Sequence, residues 1–316
     1  MKKWLGAAAA FVALVAGLAW ALTRRAPART VTMGVLERAY NCVSLLGEDD
    51  HITFEILIDA KKSFASDSGN ITSACLTNAD GEYLKLEIES VSNSGDVFPF
   101  NERTFYLFYF TFHIDFHPET EYAFEMAEAE LLIDYRTGLT VCLPVGSFGY
   151  YKVATFLDER LSVCRLKGLV NMIDGYKTLA AIDIGLRNDS PSDIVITAIR
   201  PLVPELAFAF GEKVDSRDLE YRSDCPIDAI LGHAYDFFAY AEGTCNYRLH
   251  PGEQAFFLLP LKYRRLLPVD NIGIVVEYVQ GGKDGCLVID DFLFFTTRVL
   301  TLKALRDVVF ATYENH

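Results

Sequence analysis

Tight turns between short alternating runs are the feature that most constrains the fold of this chain. In "ACLTNADGEYLKLEIESV", Asp80-Gly81 supplies the positive backbone angles of a two-residue hairpin turn, and Leu84, Leu86 and Ile88 then alternate with charged residues. Similar signals recur in "DYRTGLTVCL", "NMIDGYKTLAAIDIGL" and "VEYVQGGKDGCLVI". Strands do not alternate regularly with long helices, so a doubly wound sheet is not expected. The pattern predicts a mostly β, antiparallel architecture.

The longest strand candidate is "FYLFYFTFHIDFH", residues 105–117. Its even positions, from Tyr106 to Phe116, are all aromatic or isoleucine, which predicts a core-facing surface along the whole strand. Its odd positions are apolar at first and become polar from Thr111 onward. We therefore expect one face of this strand to be buried throughout and the other to become solvated partway along.

The odd positions of the same strand end in His113, Asp115 and His117, and imidazole and carboxylate groups are common metal ligands. On a continuous strand, residues 113 and 117 lie about 13 Å apart, so the three side chains do not easily share one ion. At most one adjacent pair of this motif, such as His113 and Asp115, can bind the same ion, and the remaining ligands must come from elsewhere in the chain. A solvated strand end is the expected role, and no metal ligand is assigned here.

The N-terminal residues Trp4 to Leu22 form an uncharged stretch of nineteen residues, about 28 Å long as a helix, which just spans a bilayer core. This length predicts a retained membrane anchor. Ala19-Trp20-Ala21 also fits a signal-peptidase site, so a cleaved signal remains an alternative, as does a reversed or cytosolic arrangement. The expected organisation is an anchor or uncleaved signal at 1–22, then a polar tether at 23–38. The bulk of the chain is expected outside the cytoplasm.

The charge distribution excludes one class of partner. Five of the 29 Lys and Arg residues precede residue 30, so the remainder carries 24 basic and 43 acidic side chains, a net charge of −19. Such a surface repels phosphate backbones and anionic lipid headgroups. Nucleic acid is therefore not an expected partner, and a solvated acidic surface is.

Two domains are expected after the tether, at residues 39–157 and 158–316, with the boundary near "TFLDERLSV". The second begins with strand and turn chemistry in "IDIGLRNDSPSDIVITAIRP" and continues in "LHPGEQAFFLLPLKY". These runs resemble the immunoglobulin-like sandwich modules of bacterial cell-envelope proteins. The resemblance implies two antiparallel β-sandwich domains and a surface location, and it carries over no catalytic residues.

One helix is expected in the second domain, at about residues 226–241. Apolar residues recur there at helical spacing, Pro226 suits the first turn and Gly243 suits the stop. Such a helix excludes a disulfide between Cys225 and Cys245, because about 15 helical residues separate its ends by about 22 Å. Its polar residues Asp228, His233 and Asp236 are expected on a wet helix face.

The seven cysteines are an odd number, so at least one thiol is unpaired within a single chain. Cys75, Cys142 and Cys286 lie beside Leu or Val in strand-like runs, where buried thiols act as small apolar side chains. Free thiols are therefore expected. A disulfide framework remains an alternative, because export to an oxidising compartment favours disulfides.

Motifs for catalysis are absent from the sequence. It has no glycine-rich phosphate loop, no Gly-x-Ser-x-Gly elbow, no His-Glu-x-x-His and no paired zinc-ligand spacing. Ser147, in "VGSFGYY", is expected in a turn that lacks the context of a nucleophile elbow. The acidic "GEDDH", residues 47–51, is a calcium-like cluster that is also explained as a solvated loop. Paired carboxylates for glycoside hydrolysis remain open. No catalytic, cofactor or metal residue is assigned, and the ligand-binding residues are unknown.

The sequence therefore predicts a non-enzymatic, membrane-anchored, extracytoplasmic module for binding or assembly, with a protein partner in the envelope or membrane. One alternative is a secreted carbohydrate-active or hydrolytic protein, with Tyr235 and Tyr240 as candidate sugar-stacking residues. Another is a structural accessory subunit of a membrane complex. Homo-oligomerisation stays open.

Overall fold

The computed structural model describes residues 30–239, 245–269, 271–293 and 304–314, so the expected membrane segment 4–22 lies outside it. The described residues contain no helix with the length and hydrophobicity of a membrane span. The same ranges contain eighteen strands and one short α-helix, with a few 3-10 turns. The mostly β architecture predicted from the turn pattern is confirmed.

In the described part of the chain, nine strands form the largest of the three sheets. In chain order they are β1 (Thr30–Val35), β2 (Arg38–Leu45), β3 (His51–Ile58), β4 (Ile71–Thr77), β5 (Tyr83–Phe100), β6 (Arg103–Ile114), β7 (Tyr122–Tyr135), β8 (Thr140–Val153) and the last strand of the chain, β18 (Val309–Glu314). Their order across the sheet is β18-β1-β3-β6-β5-β4-β7-β8-β2. Neighbours are antiparallel, except that β2 and β8 run parallel.

This sheet folds over on itself into a two-layer sandwich. Strand β5 connects the layers, because its first residues pair with β4 and the rest pair with β6, across two bulges. Tyr313 of β18 donates a hydrogen bond to the carbonyl of Cys142 in β8, at 2.7 Å, although these strands are seven places apart in the sheet. One layer is β1-β3-β6-β5 and the other is β4-β7-β8-β2, which is the strand order of an immunoglobulin-like sandwich.

From Phe108 onward, the even-numbered side chains of β6 lie in the core of this sandwich. Phe108, Phe110, Phe112 and Ile114 are all buried, together with Phe54 of β3 and apolar residues from the opposite layer. The period-two pattern of the sequence is confirmed from Phe108 to Ile114, whereas Tyr106, expected in the core, is half-buried.

The second sandwich has two sheets. Its strands are β9 (Leu161–Ile173), β10 (Tyr176–Asn188), β11 (Ile194–Pro201), β12 (Leu206–Phe208), β13 (Val214–Asp215), β14 (Tyr247–Leu249), β15 (Gln254–Tyr263), β16 (Asn271–Gln280) and β17 (Lys283–Leu293). One sheet has the order β12-β15-β10-β9, with β13 also pairing to β15, and the other has the order β14-β11-β16-β17. This too is an immunoglobulin-like order, and one apolar cluster fills the space between the sheets.

The hairpins predicted from the turn residues are present. Asp174-Gly175 joins β9 to β10, and Gly281-Gly282 joins β16 to β17, each as a two-residue turn with positive φ at both positions. The β7–β8 hairpin forms at "DYRTGLTVCL" with a longer connection. The expected two-residue turn at Asp80-Gly81 is instead part of a five-residue loop, 78–82, between β4 and β5. There the side-chain oxygen of Asn78 accepts hydrogen bonds from the backbone N–H groups of residues 80 and 82.

The two sandwiches contact each other through β2 and the segment just before it. Arg265 forms an ion pair with Glu37 at 2.8 Å, and the N–H of Ala39 donates to the carbonyl of Pro268 at 3.1 Å. A separate apolar cluster, which includes Val43, Tyr151, Leu202 and Val275, fills the contact. Polar and apolar contacts therefore both join the first sandwich to the second.

The C-terminal segment returns to the first sandwich, which differs from the expected domain at 158–316. Strand β18 pairs with β1 from Thr30 opposite Glu314 to Val35 opposite Val309. The expected tether at 23–38 is also corrected, because β1 occupies residues 30–35 and buries Val31 and Met33 completely. The preceding residues 23–29 lie outside the described ranges. Residues 30–35 form a strand because both edges of this segment form backbone pairs, one with β18 and the other with β3.

The helix expected at 226–241 is much shorter. Helix α1 spans Ile227–Leu231 and ends at Gly232, which has φ +75°. The N–H of Gly232 donates to the carbonyl of Asp228 at 2.8 Å, so this glycine, and not Gly243, stops the helix. Residues 240–244 lie outside the described ranges. Ile227 and Tyr235 still pack on the core, whereas Phe238 is 46% exposed.

Candidate functional site

The outward face of β6 has two halves of different chemistry. At one end, Phe105 and Leu107 are buried against Leu57 of β3 and against Leu305 and Val308 of the C-terminal segment. The apolar odd positions seen in the sequence are therefore covered by the returning chain end. At the other end of the strand, the outward face is polar and ends in histidines.

Three histidines meet at this polar end. His51 begins β3 and lies directly opposite His113 of β6, with ring centroids 5.5 Å apart. The rings of His113 and His117 are 5.8 Å apart. The Nε2 atom of His113 lies 3.7 Å from Oδ1 of Asp49, and one ligand atom from each of Asp49, His113 and His117 lies within 4.8 Å of the others. We name Asp49, His113 and His117 the His-Asp cluster.

The separation of about 13 Å expected between residues 113 and 117 is wrong, because the strand does not extend that far. Strand β6 ends at Ile114, and the N–H of Phe116 donates to the carbonyl of Ile114 at 2.9 Å. This turn brings His117 back beside His113. Asp115 is the member of the sequence motif that does not join: it forms an ion pair with Lys85 instead.

A buried ion pair holds the loop that carries Asp49. The Nζ atom of Lys152 lies 2.6 Å from Oδ2 of Asp50, and the two side chains are 1% and 5% exposed. Lys152 also donates to the carbonyls of Leu45 and Glu48, at 3.1 and 2.6 Å. Burial alone would raise the pKa of Asp50, but the hydrogen bonds from Lys152 and Tyr150 outweigh it, and the pKa is lowered.

The same network reaches the segment that carries His117. The hydroxyl of Tyr150 donates to Asp50 at 2.7 Å and lies 3.2 Å from the carbonyl of Phe116. The N–H of Ile114 donates to the carbonyl of Asp50 at 2.9 Å. Both segments of the His-Asp cluster are therefore fixed to one buried anchor.

The surroundings of the cluster are mainly acidic. Oε2 of Glu89 lies 2.9 Å from Nδ1 of His51, and Glu87 lies opposite His113 on β5. Of the two lysines nearby, among the described residues, Lys85 is paired with Asp115 and Glu87, and Lys152 is paired with Asp50. Two imidazoles and a carboxylate in such a setting are groups that bind a cation, or act as proton donors and acceptors.

The other residues considered from the sequence have local structural roles. The side-chain oxygen of Asp228 accepts from the N–H of Tyr235 at 2.9 Å, and that of Asp236 accepts from the N–H of Phe238 at 2.9 Å. His233 contacts the adjacent carbonyl at 3.0 Å. These three side chains stabilise the loop after α1, and they do not line the wet face of a long helix.

Tyr235 and Ser147 are both buried. The hydroxyl of Tyr235 donates to the carbonyl of Leu261 at 3.0 Å, and the residue is only 9% exposed, so its ring offers no platform for a sugar. Tyr240 lies outside the described ranges. Ser147 is completely buried within β8 rather than in a turn, so its hydroxyl is not accessible as a nucleophile.

All seven cysteines have free thiols. Cys75 is buried as expected, Cys142 is half-buried, and Cys286, expected to be buried, is exposed. Cys225 and Cys245 are not joined. The reason given from the sequence for their separation, a helix of about 15 residues, does not hold, because α1 is only five residues long.

Comparisons with known proteins give no family. No family model matches the chain, and no curated protein matches it. Among solved structures, titin Ig tandem domains A164-A165 are 8% identical, with 83% of this chain and 96% of that chain covered and a TM-score of 0.19.

Two bacterial structures are similarly distant. A protein of unknown function from Porphyromonas gingivalis W83 is 12% identical, with coverage of 83% and 97% and a TM-score of 0.24. The C-terminal domain of the Streptococcus agalactiae AgI/II polypeptide BspA is 11% identical, with coverage of 82% and 99% and a TM-score of 0.18. At such scores the chains do not superpose as whole folds. The immunoglobulin-like assignment therefore depends on the strand order described above.

The sequence alone does not predict the His-Asp cluster, because its residues belong to two separate motifs. Asp49 belongs to "GEDDH", and His113 and His117 belong to "HIDFH", which lies more than sixty residues later. Only the register of β3 against β6, with His51 opposite His113, brings the two segments together. The presence of histidine in both motifs was the one available signal.

Proposed function

We propose that this chain is a non-enzymatic module, anchored in a membrane by residues 4–22, that binds or assembles with a protein partner in the cell envelope or membrane. The observation that carries the proposal is that two immunoglobulin-like sandwiches are joined into one body. Sandwiches of this kind offer large surfaces and exposed edge strands, on which partners dock by side-chain contact or strand addition.

The contacts between the sandwiches make the body suited to presenting a fixed surface. The Asn41 side chain of β2 donates to the carbonyl of Leu202, and its oxygen accepts from the N–H of Gly273 at 2.8 Å. On the other side, Tyr176 of the second sandwich donates to Asp307, in the segment that packs on the first. A bound partner then meets both sandwiches in one relative orientation, which lowers the entropy cost of binding.

The position of β1 limits how far the body stands from a membrane. Only seven residues, 23–29, separate the apolar stretch from the start of β1 at Thr30. Fully extended, seven residues reach about 25 Å. The first sandwich is thus held close to the bilayer, while its acidic surface disfavours direct contact with anionic lipids. The short connection and the acidic surface together favour a protein partner at the membrane surface.

The test is cross-linking of the full chain in intact cells, combined with the mass of the N-terminal peptide in membrane and soluble fractions. The proposal predicts an intact 4–22 segment in membranes, external protease access to the acidic body, and a discrete cross-linked protein. A version with residues 4–22 replaced by a cleavable signal is the matched control, and it should lose most of that cross-link. A new N-terminus near Leu22 in the soluble fraction, or turnover of a substrate by the purified chain, would contradict the proposal.

A further inference from the structure

The His-Asp cluster combines ligand chemistry with a fixed framework, and neither is needed for the proposed binding role. We propose that Asp49, His113 and His117 bind one divalent transition-metal ion of the zinc class. Imidazole nitrogen selects zinc, nickel, copper or cobalt over calcium and magnesium, which take oxygen ligands. Two histidines and one carboxylate are an established type of donor set for zinc.

The distances are close to those of a bound site. Bonds of 2.0–2.2 Å in tetrahedral geometry place donor atoms roughly 3.3 Å apart. The three donor atoms now lie within 4.8 Å of one another, and the pair between Asp49 and His113 is already at 3.7 Å. Asp49 and His117 are exposed, so their side chains have room to rotate toward a bound ion. His113 is half-buried on a central strand and serves as the fixed ligand.

The buried anchor is the second, independent observation. Lys152 and Asp50 lie beneath the cluster, and Tyr150 links Asp50 to Phe116, the residue before His117. A loop of solvated charge does not require such an anchor. Because both ligand-bearing segments are already ordered, the chain loses little conformational entropy when the metal ion binds.

The electrostatics also favour a cation. Two lysines lie near the cluster and carboxylates neutralise both, since Asp115 and Glu87 pair with Lys85 and Asp50 pairs with Lys152. The carboxylate of Glu89 lies 2.9 Å from the His51 ring, so a further carboxylate faces the same region. Three protein ligands leave at least one coordination position for water or for a group from a partner.

The experiment uses the full chain, treated with a chelator and then alkylated at its accessible thiols, so that exposed cysteines do not compete for the ion. Zinc is titrated by calorimetry, and cobalt binding is followed by its visible spectrum. We expect one ion per chain, with no thiolate charge-transfer band. We expect His113→Ala, His117→Ala and Asp49→Asn each to weaken zinc binding more than about tenfold.

His250→Ala is the matched control. His250 is exposed and lies 3.0 Å from Asp193. It therefore has an imidazole beside a carboxylate, as in the His-Asp cluster, but its contacts among the described residues do not include a second histidine. Its loss should leave the zinc affinity unchanged. Far-UV circular dichroism without metal checks that each variant is folded, and His117→Ala is the safest variant because that side chain is exposed.

Two results would overturn the proposal. One is equal zinc affinity in the unmodified sequence and in a His113→Ala, His117→Ala double variant. The other is displacement of zinc by an equal concentration of calcium, which would assign the site to an oxygen-ligand cation. Neither result bears on the cross-linking test, so the metal site and the proposed function fail separately.

Discussion

The side-chain oxygen of Asn41, in the first sandwich, accepts a hydrogen bond of 2.8 Å from the backbone N–H of Gly273 in the second. The same amide donates to the carbonyl of Leu202, whose own N–H donates to the carbonyl of Gly273 at 2.8 Å. A methyl group at Gly273 would lie 2.5 Å from Val43 and 2.8 Å from the Asn41 oxygen. The two sandwiches therefore approach closely enough here that a glycine is required.

Replacing this amide should loosen the contact between the sandwiches. Asn41→Ala leaves the Gly273 N–H and the Leu202 carbonyl buried without their partner, at a cost of about 1 to 3 kcal/mol for each group. We expect a lower urea midpoint and faster proteolysis of the connecting residues 154–160. Asn93→Ala is the control, because the exposed Asn93 oxygen accepts from the nearby N–H of Gly95, at a bulge of β5 in the first sandwich. Equal effects of the two variants would show that Asn41 does not join the sandwiches.

Local turn chemistry allowed much of the fold to be predicted from the sequence. Asp174-Gly175 and Gly281-Gly282 are two-residue turns because adjacent residues with positive φ close a hairpin without long-range help. The expected turn at Asp80-Gly81 was too short, because Asn78 bonds two backbone N–H groups and extends the loop. The presence of each hairpin could therefore be predicted, whereas the length of the loop at 78–82 depends on the side chain of Asn78.

Long-range pairing could not be predicted in the same way. Strand β1 has a sequence that looks like part of a tether, and its partner β18 lies about 280 residues later in the chain. The helix at 226–241 failed for a local reason, since Gly232 ends it after one turn and Tyr235 bonds back to Asp228. The His-Asp cluster needed both kinds of information: the end of β6 at Ile114 and the register of β3.

The C-terminal segment should contribute directly to the stability of the first sandwich. Leu305 is 1% exposed and packs against Phe105 and Leu107. Leu305→Ala should cost about 2 to 5 kcal/mol, because it removes buried methyl groups and leaves a cavity. Val309→Ala, at a side chain 43% exposed on the same segment, should change the free energy of unfolding by less than about 1 kcal/mol. Urea unfolding of the two variants checks this, and similar losses would contradict the packing described here.

The thiols should differ strongly in reactivity. Burial raises the pKa of Cys245 to about 12, and Cys245 is 6% exposed, whereas Cys164 is exposed. Because the thiolate is the reactive form, iodoacetamide at mildly alkaline pH should label Cys164 early and Cys245 last. Peptide mass spectrometry follows the rates, and urea should remove the difference. Fewer than seven reactive thiols in the unfolded, unreduced chain would instead show a disulfide.

The buried pair beneath the cluster should be sensitive to loss of one partner. Asp50→Asn leaves the Lys152 ammonium buried without its counter-ion, which costs about 3 to 5 kcal/mol. Asp193→Asn breaks exposed contacts to Arg248 and His250, and should cost less than about 1 kcal/mol. The free energies of unfolding at neutral pH measure both effects. Equal small losses would mean that water reaches Lys152 in solution.

The contribution of Asp50 should also depend on pH in one direction. Burial alone would raise the pKa of Asp50, but the hydrogen bonds from Lys152 and Tyr150 outweigh it and hold the pKa below the usual 3.8. As the pH falls, the unfolded chain therefore takes up this proton before the folded chain does, and folding is weakened. The stabilisation from ionised Asp50 is complete above the unfolded pKa and is lost as the pH falls through the folded one. Unfolding free energies of the unmodified chain and of Asp50→Asn should thus converge below pH 3.8. Subtracting the two curves removes the effect of other carboxylates, and a constant difference across that range would contradict the lowered pKa.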